Sequence, residues 1–137
     1  PRQDPNSIYA AAISIFIQKA RANQPITIYG DGEQTRDFVF VKDVAAALAH
    51  AATTANMHGT YNVGYGNSIS INQLASEIIH LTASKSQISH APDRPGDVKH
   101  SRANIDRLSN TGWKASQSLR DALALTLRST DIPVRDL

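Results

Sequence analysis

Tyr29-Gly30-Asp31-Gly32-Glu33-Gln34-Thr35-Arg36-Asp37-Phe38-Val39-Phe40-Val41-Lys42-Asp43-Val44 joins a glycine-punctuated turn, an Arg-Asp pair, an apolar run and a helix start within sixteen residues. Gly30 and Gly32 let the backbone turn tightly and approach another molecule without a Cβ in the way. Arg36 stands where the turn gives way to the apolar run, and its planar fork suits two phosphate oxygens at once. The same spacing also describes a hairpin loop with a solvated charge pair. At the level of spacing the two readings stand side by side.

Upstream, Ile13, Phe16, Ile17 and Ala20 repeat at helical spacing, which predicts a helix from near Ser7 that stops before Pro25. Ile26-Thr27-Ile28-Tyr29 reads as a short strand leading into the turn. Downstream, Phe38-Val39-Phe40-Val41 is rich in β-formers and predicts a second strand. Asp43 favours a helix N-terminus, and the alanine-rich run from Val44 to Thr54 predicts the helix itself, with Gly59 marking the exit. Tyr61-Asn62-Val63 is a further strand candidate.

Ser70-Ile71-Asn72-Gln73 has the Ser-x-x-Gln form of a capping box, and Leu74, Ala75, Ile78, Ile79 and Thr82 mark one side of the helix that follows. Ile88 to His90 predicts a strand. Asn104 suits the start of a short helix ended by Gly112, and Ser118 with Asp121 suits the start of a last helix facing inward through Leu119, Ala122, Leu123 and Thr126. The tail after Ile132-Pro133 is expected to fray. The expected fold class is α/β, a small mixed domain of about five helices and several short strands.

A chain of 137 residues is one domain by length, and 41% apolar with 19% charged residues fits a folded globular protein. The net charge is only +2 and the basic residues are scattered, so the pI near 9.2 does not point to nucleic acid. Zero cysteines exclude disulfides and thiolate metal sites and fit a cytoplasmic protein. No apolar run approaches the roughly 20 residues needed to span a bilayer, and the N-terminus lacks a signal-peptide pattern, so no membrane partner is expected. The five histidines show no metal-ligand spacing, and no serine sits in a Gly-x-Ser-x-Gly elbow. The start at a proline without Met is what a fragment or processed product would show.

The opening stretch, Arg94-Pro95-Gly96-Asp97-Val98, Tyr61-Asn62-Val63-Gly64-Tyr65-Gly66 and the initial Pro1-Arg2-Gln3 together resemble the nucleotide-sugar epimerase/dehydratase family, the extended short-chain dehydrogenases. The matches follow the family's own order over nearly the whole chain. The resemblance is strongest to the UDP-glucose 4-epimerases, and it implies a UDP-sugar ligand. It implies that Arg36 and Arg94 converge on the diphosphate and that Asp97 accepts from the ribose hydroxyls. Tyr29 is then expected near the base, or else as a core tyrosine at a strand end, and Gln34 is a weaker polar contact. Asp37 is expected to pair locally or to orient Arg36. Trp113 is expected to be a packing anchor.

The chemistry of that family rests on features this chain lacks. Gly30-Asp31-Gly32 is followed three residues on by Thr35, and Gly64-Tyr65-Gly66 by Ile69, so neither completes a dinucleotide fingerprint. The family's catalytic Tyr and Lys lie four positions apart, but the four tyrosines here are followed at that distance by Ile13, Glu33, Tyr65 and Ile69. The expectation is therefore a C-terminal substrate-binding domain over residues 1–137, without the Rossmann half, with no catalytic, cofactor-binding or metal-binding residue of its own. The parent would be an NAD-dependent nucleotide-sugar 4-epimerase, dimeric through the missing half. The alternatives are a dehydratase or decarboxylase domain of the same family, or a non-catalytic nucleotide-sugar-binding module. A strand at Tyr61–Val63 would belong with the missing half and leave an open edge here.

Overall fold

The computed structural model describes residues 11–129. The start of the first helix near Ser7 and the tail after Pro133 lie outside the described residues. In chain order the elements are α1 (Ala12–Arg21), β1 (Ile26–Tyr29), β2 (Thr35–Arg36), α2 (Val41–Thr53), β3 (Ile69–Ser70), α3 (Ile71–Leu81), β4 (Ile88–Ala91), α4 (Asp106–Ser109) and α5 (Leu119–Ser129). This is the mixed α/β arrangement of five helices and a few short strands that the sequence predicts.

β1 pairs in parallel with β4, Ile26 opposite Ile88 and Tyr29 opposite Ala91. Alternation along β1 buries Ile26 and Ile28 and leaves Thr27 and Tyr29 on the other side. α1 contributes Phe16, Ile17 and Ala20 to the same core, and α3 contributes Ile71, Leu74, Ala75 and Ile78. Leu123 of α5 closes it. The capping box forms as read: Ser70 Oγ accepts from Gln73 N at 3.1 Å, and Gln73 Oε1 accepts from Ser70 N at 3.0 Å. Ser118 Oγ likewise accepts from Asp121 N at 3.1 Å at the start of α5.

A second, smaller core gathers Ala47 of α2, Leu108 of α4 and Trp113, with Met57, Tyr61 and Val63 half-buried around it. Trp113 is thus the packing anchor expected. Asp43, at the third position of α2, is buried and binds the segment before α5: Ser116 N and Oγ donate to it at 3.0 and 2.8 Å, and Gln117 N at 3.3 Å. Burial would raise its pKa, but these donors more than offset that and hold it below the ordinary value of 3.8.

Two strand expectations are corrected. Phe38–Val41 is not a strand; the strand of this region is the two-residue β2, antiparallel to β3, with Thr35 opposite Ser70. The reason is that Phe40 serves as N-cap of α2, which takes Val41 into its first turn, three residues earlier than expected. Tyr61–Val63 is also not a strand in the described residues; Tyr61 and Val63 turn into the second core instead. Among the described residues no helix is long and apolar enough to cross a membrane.

Candidate functional site

The turn after β1 is built by its two glycines. Gly30 and Gly32 hold φ of +80° and +76°, and a Cβ would strike the Asp93 carboxylate at the first and the Asn72 side chain at the second. Gly30 N donates to Ala91 O at 2.8 Å, extending the β1–β4 ladder by one bond. The turn is then stapled to the start of α3. Asn72 N donates to Gly32 O at 3.0 Å, Asn72 Nδ2 to Asp31 O at 3.0 Å, and Ile71 N to Gln34 O at 3.1 Å. Inside it Glu33 N donates to Asp31 Oδ1 at 2.9 Å, which is the main reason the Asp31 carboxyl titrates below its ordinary value; Lys99, 3.4 Å away, adds to this.

Beyond the turn, β2 carries Arg36 alongside the segment that follows Asp97. Thr35 N donates to Lys99 O at 2.8 Å and Ser101 N to Thr35 O at 3.1 Å, a parallel bridge centred on His100. That bridge brings together side chains about sixty positions apart. Arg36 Nη2 forms an ion pair with Asp97 Oδ1, and Nη1 donates to Thr35 O at 2.8 Å and to Lys99 O at 3.5 Å. The Arg94 guanidinium stacks on the Tyr29 ring, 3.8 Å from its centroid. Gln34 Nε2 donates to Tyr29 O at 2.7 Å.

All five residues singled out by sequence, Tyr29, Gln34, Arg36, Arg94 and Asp97, line one cleft of about 620 Å³. That volume lies within the usual range for small-molecule sites. α1 forms one wall through Ala12, Ile15, Phe16 and Lys19, and Ala11 just before it also faces the cleft. Residues before Ala11 lie outside the described residues. The cleft offers three cations, Lys19, Arg36 and Arg94, against two carboxylates, Asp37 and Asp97. One carboxylate is already spent. Asp37 accepts from Tyr65 N at 2.9 Å, Gly66 N at 3.0 Å and Ala103 N at 3.3 Å. It therefore ties β2 to two distant loops, which corrects the expectation that it pairs locally or orients Arg36.

Lys19 and Ile15 were not singled out by sequence, and Phe16 was read only as core. Their signal was present: Ala12, Ile15, Phe16 and Lys19 are spaced i, i+3, i+4 and i+7, a face beside the core-facing stripe of α1. Three of the five histidines take polar side-chain partners, His50 with Thr111 Oγ1, His90 with Asn72 and His100 with Thr35. Among the described residues no group of His, Asp or Glu is arranged to hold a metal.

The model of the family described as NAD dependent epimerase/dehydratase matches residues 1–64. The UDP-glucose 4-epimerase of Mycolicibacterium smegmatis is 34% identical over 128 residues, covering 93% of this chain and 41% of that protein. The structure of the Thermotoga maritima UDP-glucose 4-epimerase with UDP-glucose superposes with a TM-score of 0.87 at 32% identity, covering 95% of this chain and 42% of that one. The Thermus thermophilus UDP-glucose 4-epimerase in complex with NAD gives a TM-score of 0.82 at 31% identity, over 93% of this chain and 42% of that one. The chain therefore spans about two fifths of the length of the relatives it matches.

Proposed function

Since this chain belongs to the NAD-dependent epimerase/dehydratase family, we propose that residues 1–137 are the substrate-binding domain of a cytoplasmic nucleotide-sugar 4-epimerase that acts on a UDP-hexose. The observation that carries this reading is the convergence of Arg36 and Arg94, 58 positions apart, on one cleft with Tyr29, Gln34 and Asp97. A UDP-sugar presents two phosphates, a ribose diol and a flat base. Arginine forks suit the phosphates, a carboxylate suits the diol, and the apolar wall of α1 gives cover to the rest. In this reading Arg36 and Arg94 take the diphosphate and Asp97 a ribose hydroxyl, while Tyr29 and Gln34 stand at the nucleotide end.

NAD would supply the acceptor and donor of hydride at the sugar C4, and in this reading a companion unit holds it. Among the described residues, neither the Gly30–Gly32 turn nor the start of α3 suits its pyrophosphate. The Gly30–Gly32 turn opens into β2 rather than a helix, and the start of α3 is closed by its own capping box. The companion would also supply the Tyr-Lys pair and the contacts of a dimer. This chain's part is to grip the nucleotide while the hexose turns.

Two measurements test the reading. The intact mass of the native gene product should exceed that of this chain by about one domain, roughly 160–200 residues. That product should bind UDP and UDP-glucose in calorimetry, more tightly than uridine. A folded gene product that binds no UDP ligand would refute the assignment. A product no longer than this chain that binds UDP would instead be a non-catalytic binding module.

A further inference from the structure

The two arginines of the cleft are held in different ways. Arg36 has three acceptors: the Thr35 and Lys99 carbonyls and the Asp97 carboxylate. The Arg94 side chain makes no hydrogen bond or ion pair among the described residues, and its contact is the stack on Tyr29. Its loop is anchored near the other end, where Asp97 meets Arg36 and Asp97 N donates to Arg94 O at 3.2 Å. Tyr29 itself is firmly placed. It ends β1, its carbonyl accepts from Gln34 Nε2, and the next residue closes the ladder onto Ala91.

A guanidinium stacked on a ring is attracted through its π face. Its five N–H donors lie in the plane and point past the ring. A carboxylate partner would occupy one or two of those donors; an aromatic partner leaves all five free. We infer that Tyr29 is a positioning residue: its ring fixes Arg94 by the face, so that the edge of the fork stays open for the diphosphate of the nucleotide. This rests on the reading of the cleft given above and departs from a direct base contact by Tyr29, because Arg94 covers one face of the ring. Tyr29 then acts on phosphate affinity, through Arg94, and not on the base.

Calorimetry with UDP and with uridine separates these roles in the native gene product and in Tyr29→Leu, Tyr29→Phe, Arg94→Ala and the Tyr29→Leu/Arg94→Ala pair. Tyr29→Leu should weaken UDP binding about tenfold, within the range of a cation–π contact, and leave uridine unchanged. Tyr29→Phe keeps the ring and should keep UDP affinity. The double variant should lose no more than Arg94→Ala alone. A loss of uridine binding in Tyr29→Leu, or losses that multiply in the double variant, would overturn the inference in favour of a base contact. Unchanged UDP affinity in Tyr29→Leu would overturn it alone, whereas no UDP binding by the unsubstituted protein would overturn the reading beneath it as well. If Tyr29→Leu does not fold, the Arg94 Nε–H proton resonance decides in the native protein. It should be ring-current shifted without ligand and should move with UDP but not with uridine; an unshifted resonance overturns the stack.

Discussion

Arg36 is the residue at which spacing left two readings open, and its contacts explain why neither alone was enough. It does pair with a carboxylate, as a solvated loop arginine would, but the partner is Asp97, 61 positions away, and the pair lines the cleft. Its fork is held by backbone carbonyls, so in the proposed function a diphosphate would meet an ordered donor rather than a free side chain. We expect Arg36→Ala to weaken UDP binding by roughly 1.5–3 kcal/mol, the scale of a charge-assisted hydrogen bond. Calorimetry on a variant shown to be folded checks this, and unchanged affinity would remove Arg36 from the site. Asp37 makes the opposite case. Its three backbone donors lie 28, 29 and 66 positions away, so nothing local announced them. Removing the carboxylate in Asp37→Ala should cost about 1.5–3 kcal/mol of stability by stranding N–H groups. Denaturant titration reads that cost, and a loss below about 0.5 kcal/mol would show that water replaces the clamp.

Elements whose instructions are local were legible: the capping box at Ser70, the cap at Ser118 and the stripes of α1 and α3 all appear where the sequence puts them. Phe38–Val41 failed because β-propensity describes a pleated, half-buried surface and not a partner. Here Phe38 packs on the main core and Phe40 is buried, while α2 starts at Val41 and no ladder forms. Asp43 fixes that helix start through Ser116 and Gln117. Because its folded pKa lies below the ordinary value of 3.8, its contribution is present above that pH and is lost as pH falls through the folded value. Asp43→Asn should therefore be less stable than the native protein by about 1–3 kcal/mol at neutral pH. The gap should narrow below about pH 4. Thermal melts at the two pH values test this, and a gap independent of pH would mean that the Asp43 charge is not what stabilises the contact.

At the scale of the molecule, the parallel β1–β4 pairing was hidden from sequence, since Ile26 and Ile88 meet across 62 positions of chain. So was the division into two unequal cores. The larger has ten buried residues from α1, β1, α3 and α5, and the smaller has three, Ala47, Leu108 and Trp113. α2 belongs to the thin one. It buries Asp43 and Ala47 but leaves Val41 and Leu48 56% and 67% exposed, so an apolar helix is covered on one side only. Opening free energies follow buried apolar contact, and elements with little of it open below the global limit. Amides of α2 should accordingly exchange at least about tenfold faster than those of α1 and α3 in native-state hydrogen exchange. If UDP occupies the cleft between α1, β1 and β2, as the proposed function holds, it should slow exchange in α1 and β1 more than in α2. If the companion unit of the proposed function covers the exposed side of α2, the native gene product should bring α2 to the protection of α3 while leaving α1 unchanged. Equal protection of α2 and α3 in the isolated chain would show that the small core is stable by itself, and would leave the exposed side of α2 no need of a partner.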